Sequence, residues 1–182
     1  IAAGVEGTGT YGAGIARFLG AHGVLVHEVN RPDRSTRRLL GKSDVIDAEA
    51  AARAVLGGRR LATPKTRDGA VEAVRVLRVA RRSAVRARTQ ASNQMTALIG
   101  SADERLRAEL RPLPAHTRIH TCAAFNALNE PDEPVGATSH ALGVLARRWL
   151  QLNIEITALD DQLTQVVPIA APTLLDVYGV GI

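Results

Sequence analysis

Two stretches of this chain repeat apolar residues at alternating spacings of three and four, and little else in the sequence limits its fold so strongly. In the first, Ala70, Ala73, Leu77, Ala80, Ala84, Ala87, Ala91 and Leu98 recur, with Gln94 at the single polar position. In the second, Leu142, Leu145, Trp149, Leu152, Ile156, Leu159, Leu163 and Val166 recur without a break. A repeat sustained this long means a helix whose stripe is buried on a partner helix, the coiled-coil pattern. Small residues face large ones, which predicts an antiparallel hairpin about 40 Å long at 1.5 Å per residue. Arg75, Arg78, Arg82 and Arg86 fall off the alanine stripe. They give the first helix a basic outer face of the kind that tracks a nucleic-acid backbone, or that is merely solvated. No aromatic residues interleave, so base stacking adds nothing there.

Ahead of these helices the periodicity changes. Ile1 to Glu6 reads as a buried strand, Gly7-Thr8-Gly9-Thr10-Tyr11-Gly12 as a tight turn into a helix running to about Ala21, and Val24 to Val29 as a second strand. Strand, helix, strand at this spacing implies a parallel pair with a right-handed crossover. Gly7, Gly9 and Gly12 also match G-x-G-x-x-G, with Glu28 where a ribose-binding acid would sit, so a dinucleotide-binding oxidoreductase is a rival reading. Against it, Glu6 would stand beside the pyrophosphate, where like charges repel in a low-dielectric crevice. No run of further βαβ units follows.

The segment Gly41-Lys42-Ser43-Asp44-Val45-Ile46-Asp47-Ala48 carries the chemistry. If a helix starts at Ser43, Asp44 and Asp47 leave the same face of its first turn. Paired carboxylates of this kind suit a hard divalent ion, and Mg²⁺ takes one or two carboxylates while keeping several waters. Glu6, at the carboxyl end of the first strand, stands where open α/β sheets place their ligands. The three acids thus form a candidate metal site. The plain alternative is that Asp44 complements the helix dipole and Asp47 is a solvated first-turn acid. Just upstream, Arg31, Arg34, Arg37, Arg38 and Lys42 make a basic connection, read as a solvated loop or as one that contacts phosphates beside the acidic pair.

Charge is distributed unevenly. Residues 1–66 carry 10 basic and 6 acidic side chains, residues 67–111 carry 10 and 5, and residues 112–182 carry 3 and 7. Any polyanionic partner is therefore expected on the first two-thirds, with Lys65 among its candidate contacts. With only five aromatic residues the core must be built from Ala, Val and Leu. The single cysteine, Cys122, excludes an internal disulfide and points to a reducing compartment. No apolar run approaches the length of a membrane span. His116, His120 and Cys122 have too few ligands among them for a structural zinc site.

The sequence resembles the DEDD transposases of the insertion-sequence one-ten family, which move DNA elements by site-specific recombination guided by a bridge RNA. The residues that carry the resemblance are Val5 to Gly12, Val29-Asn30-Arg31-Pro32, Lys42 to Ala48, Thr63-Pro64-Lys65, Arg78 to Arg82 and Tyr178 to Gly181. The resemblance implies a partial RNase H-like (RuvC-like) catalytic domain, a coiled-coil insertion and a carboxy-terminal transposase domain. It also implies Mg²⁺ held by acids of which three fall on Glu6, Asp44 and Asp47. The fourth acid is expected on a strand before Ile1 and a nucleophilic serine beyond Ile182, so the chain is expected to be an inactive fragment with an unpaired sheet edge.

The expected fold is therefore α/β plus all-α: a parallel βαβα unit over 1–66, a helical coiled-coil region over 67–167 with an irregular connector near 112–138, and the start of a further domain over 168–182. The expected partners are DNA, a guide RNA and further copies joined through the coiled coil, in the cytoplasm and away from membranes. The alternative is a nucleic-acid-binding or assembly module without catalysis.

Overall fold

Small residues and a valine lead up to Glu6 in Ala2–Glu6 (β1), and two valines flank His27 and Glu28 in Leu25–Val29 (β2); the strands pair in parallel with Ala2 opposite Leu25 and Glu6 opposite Val29. The computed structural model describes residues 1–29, 44–58, 61–125 and 134–181. Its contacts divide the chain into two units, residues 1–68 and 69–182.

In the first unit the crossover between the strands is helix α1 (Ala13–Ala21). Gly23, at φ +75°, closes it: its N–H bonds the Gly20 carbonyl and the Val24 N–H bonds the Leu19 carbonyl. That pair of bonds is the Schellman motif, which needs a residue able to enter the left-handed region. Helix α2 (Asp44–Leu56) follows and stops at Gly57-Gly58, where the Gly57 N–H still reaches the Arg53 carbonyl at 2.9 Å. A third strand, β3 (Leu61–Ala62), pairs antiparallel with β2. The order β1-β2-β3 therefore gives a small mixed sheet in place of the parallel one expected. A two-residue strand inside a proline-containing linker leaves no period for the sequence to show.

The second unit is helical. It comprises α3 (Gly69–Ser101), α4 (Glu104–Leu110), α5 (Ala115–Ala123), α6 (Pro134–Ala170) and a 3₁₀ turn (Pro172–Leu174). Helix α5 lies inside the stretch expected to be irregular. The prolines there mark helix boundaries, with Pro114 the N-cap of α5 and Pro134 the first residue of α6. Asp103 caps α4 through the Arg105 N–H at 2.9 Å.

Helices α3 and α6 pack antiparallel. Arg81 pairs with Asp160, Arg88 Nη1 donates to Asn153 Oδ1 at 2.6 Å, and the Arg88 guanidinium lies 5.4 Å from the centre of the Trp149 ring. Advancing along one helix thus retreats along the other. The buried stripe of α3 shares Ala84 and Ala91 with the one expected, but its alternate positions lie one residue later. Ala73, Ala80 and Gln94 are exposed, whereas Val74, Arg81 and Arg88 are half-buried and Met95 is buried. Arginine takes a seam position because its stem packs on apolar surface while its head finds an acceptor.

The core of this unit lies where the ends of α3 and α6 meet α4 and α5. Met95, Ile99, Leu106, Leu110, Ile119, Cys122, Leu142 and Ala146 pack together there. Gly143 lets the end of α5 approach: an added Cβ would lie 2.7 Å from the Phe125 carbonyl oxygen. Arg147 Nη1 then donates to the Ala123 and Phe125 carbonyls at 3.0 and 2.9 Å, satisfying acceptors at the end of α5.

Leu142→Ala empties a fully buried position and is expected to cost about 2–5 kcal/mol in urea unfolding. Ile154→Ala, on a residue 64% exposed, should stay within about 0.5 kcal/mol. The hydrogen bond from Arg81 holds the Asp160 carboxyl below its ordinary range. A folded-state value below the unfolded one means stability that is present above about pH 4 and lost as pH falls through the folded value. Asp160→Asn should remove that component of the acid decline, read as unfolding midpoint against pH, with a small amplitude because both side chains keep about two-fifths of their surface in water.

Candidate metal and nucleic-acid site

Neighbouring residues of a strand point to opposite faces of its sheet. Gly4 faces α2: a Cβ added there would lie 2.8 Å from the Ala51 carbonyl oxygen and 2.9 Å from Val55 Cγ2. Val5 faces the other way, with its Cγ1 2.9 Å from where a Cβ on Gly12 would stand. The two helices therefore cover opposite faces of β1. Glu6 shares the face of Gly4, two residues on, or about 6.7 Å along the strand. Asp47 precedes Ala51 by four residues, about 6 Å along α2. The two displacements match when α2 runs antiparallel to β1, bringing its amino end to the carboxyl end of the strand.

The result is a cleft of about 380 Å³ along the edge of β1, lined by Gly4, Glu6, Asp47, Ala48 and Ala51, with Ile15 and Leu19 of α1 as its far wall. Glu6 and Asp47 thus line one cleft and are both half-buried. Asp44 lies one turn earlier on the same helix face, is exposed, and is not part of the lining. Among the described residues no group of three or more His, Cys, Asp or Glu side chains gathers closely enough to hold a metal. Two carboxylate donors in one open cleft nonetheless suit an oxygen-seeking ion that retains most of its water.

The glycines of the turn serve the chain's own packing. An added Cβ on Gly12 would meet the Glu6 carbonyl oxygen at 2.2 Å, and Gly7 sits at φ +60°. The N–H groups of Thr10 and Gly12 bond the Gly7 carbonyl, and that of Ala13 bonds the Thr10 carbonyl. Those three amides are thus not offered to a dinucleotide's pyrophosphate, which weakens the oxidoreductase reading.

On the other side of α1 lies a second cavity, of about 260 Å³, lined by Thr8, Ala16, Arg17, Val26, Lys65 and Arg67 among others. Arg67 adopts φ +59° and donates an Nη2 hydrogen to the Gly9 carbonyl. Thr8 is 2% exposed, and its hydroxyl has no hydrogen-bond partner among the described residues. Sequence reasoning passed over Arg17, Arg67 and Thr8. The contact that ties Arg67 to the turn spans 58 residues, and no local pattern announces it.

Of the other candidates, Arg31, Arg34, Arg37, Arg38 and Lys42 lie outside the described residues. Lys65 is exposed at the second cavity. Arg75, Arg78, Arg82 and Arg86 are exposed along one side of α3, with Arg75 paired to Glu72 at 2.6 Å. His116 and His120 meet at 3.1 Å on the exposed side of α5, whereas Cys122 is buried and burial pushes its thiol up. Those three do not converge. No helix among the described residues is long and apolar enough to cross a membrane.

The model of the insertion-sequence one-ten DEDD family, described as transposase, matches residues 1–102, more than half of the chain. No curated protein and no solved structure matches the chain significantly.

Gly4→Ala forces α2 off β1 and is expected to cost about 1–3 kcal/mol in thermal unfolding. Gly14→Ala, on an α1 glycine with nothing within 4 Å of its added Cβ, should instead stabilise by up to about 1 kcal/mol.

Proposed function

Because the chain belongs to the insertion-sequence one-ten family of DEDD transposases, we propose that the cleft along β1 holds a divalent cation for phosphoryl transfer on DNA. Glu6 and Asp47 would hold it, and Asp44, one turn earlier on the same face of α2, would contribute from the margin of the cleft. The observation that carries this reading is the shared cleft: β1 and α2 deliver one carboxylate each to the same opening. Mg²⁺ bound there would supply charge stabilisation for the entering and leaving oxygens of a phosphate. The chain's own part is to fix the two acids on rigid elements, as Gly4 and Gly12 do by allowing close packing, and to wall one side of the cleft with Ile15 and Leu19.

The partial RNase H-like (RuvC-like) assignment of the mixed sheet and the coiled-coil assignment of the α3–α6 pair belong to the same proposal. The family match and the antiparallel, heptad-spaced seam support them. DNA is the substrate. Arg78, Arg82 and Arg86 offer an exposed basic row to a nucleic-acid backbone, and Arg75, engaged by Glu72, adds less. A bridge RNA and self-association through the long helices are further parts of the reading, as is action in the cytoplasm. A non-catalytic binding module would keep the basic row and dispense with the cation.

Mn²⁺, which shares the oxygen preference of Mg²⁺, is the probe. Titrated into the chain, it should broaden the NMR signals of Glu6, Asp47 and Ala48 first. Glu6→Gln or Asp47→Asn should weaken binding at least about tenfold with the helical signature unchanged, and Asp44→Asn should weaken it less. Broadening elsewhere, or unaltered affinity in both the Glu6 and Asp47 variants, overturns the metal assignment.

A further inference from the structure

Beside the acidic cleft, separated from it by the width of α1, the chain carries a cavity of opposite character. Ile15 and Leu19 line the acidic side, while Ala13, Ala16, Arg17 and Gly20 line the other, so the helix is the common wall. Arg17, Lys65 and Arg67 bring three cations to this second cavity, and no acidic residue is among its described lining residues. At its wall Thr8 is almost completely buried, yet its hydroxyl bonds nothing among the described residues. Such a group costs stability unless something accepts its proton. Arg67 is held in the left-handed region and anchored to the Gly9 carbonyl, so its guanidinium is fixed at the cavity before any ligand arrives. Left-handed geometry in a non-glycine residue persists only where the surroundings over-determine it.

We propose that this cavity is an anchor site for a backbone phosphate of a nucleic-acid strand. The phosphate oxygens accept from the Thr8 hydroxyl, and the cations of Arg17, Lys65 and Arg67 surround the rest of the group. The size supports a phosphate in place of a whole nucleotide, because about 260 Å³ falls below the 300–1,000 Å³ typical of pockets that enclose a drug-sized ligand. The site deepens the proposed function and rests on it for its role. Holding a phosphate on this side of α1 fixes the strand relative to the acids on the other.

The test is binding of a short single-stranded DNA to the chain by fluorescence anisotropy across a salt series, alongside thermal protection by inorganic phosphate. Thr8→Val keeps volume and charge and removes only the hydroxyl. Since that hydroxyl has no partner among the described residues, the variant should be no less stable than the parent. It should bind the oligonucleotide about tenfold more weakly with an unchanged salt slope, and Thr8→Ser should restore binding. Lys65→Gln, on an exposed residue, should lower the salt slope by about one. Mn²⁺ binding at Glu6 and Asp47 should survive in every variant, so failure here is distinguishable from failure of the metal assignment. If Thr8→Val and Lys65→Gln bind DNA as the parent does, the proposal is wrong. Protection by inorganic phosphate that depends on Thr8, with DNA binding indifferent to it, also overturns the nucleic-acid assignment and leaves a free-anion site.

Discussion

A missing side chain at position 4 sets the geometry of the first unit. Gly4 allows the backbone of α2 to lie directly against β1, nearer than any Cβ would permit. Once those elements touch at Ala51 and Val55, the pitch of the helix and the rise of the strand determine what else meets. Glu6 and Asp47 come to one opening because about 6 Å of helix and about 6.7 Å of strand separate them from the point of contact. Gly12 acts similarly on the opposite face, seating the start of α1 on the carboxyl end of β1. The acidic cleft and the basic cavity are then the two sides of α1.

The helical unit is held in register by polar groups as much as by apolar ones. A seam of alanines matches many alignments about equally, because each small residue offers the same shallow groove. Arg81 with Asp160 and Arg88 with Asn153 and Trp149 select one alignment, since any slip would leave half-buried charges without these partners. Ion pairs this open to solvent add little stability, so their value here lies in specificity. Stability comes instead from the cluster around Leu110, Leu142 and Ala146 at the end of the helix pair.

Much of this was legible in the residues. The strands, α1 and α2 were readable from apolar runs punctuated by Gly23 and by Gly57-Gly58, and the long helices from their repeats. The seam of α3 was misplaced by one residue at alternate positions because a hydrophobicity pattern favours Ala80 over Arg81. Only the distant Asp160 makes the arginine the better seam residue. Helices α4 and α5 are too short to show a period, and β3 is shorter still. For the site, the spacing of Asp44 and Asp47 gave the common face, but not that Asp47 would line the cleft with Glu6 while Asp44 stayed at its margin. That depends on how far α2 slides along β1, which Gly4 decides. The basic cavity could not be read at all, because Thr8, Arg17 and Arg67 come together only through a loop closure of 58 residues.

The central claim is that Glu6 and Asp47 act on one cation. A double-mutant cycle on Mn²⁺ affinity, comparing Glu6→Gln, Asp47→Asn and the double variant by calorimetry, addresses it directly. Ligands of a shared ion should be coupled by more than about 0.5 kcal/mol, the double variant losing less than the two single losses together. Losses that add within about 0.3 kcal/mol would mean two carboxylates acting apart, contrary to a shared metal site.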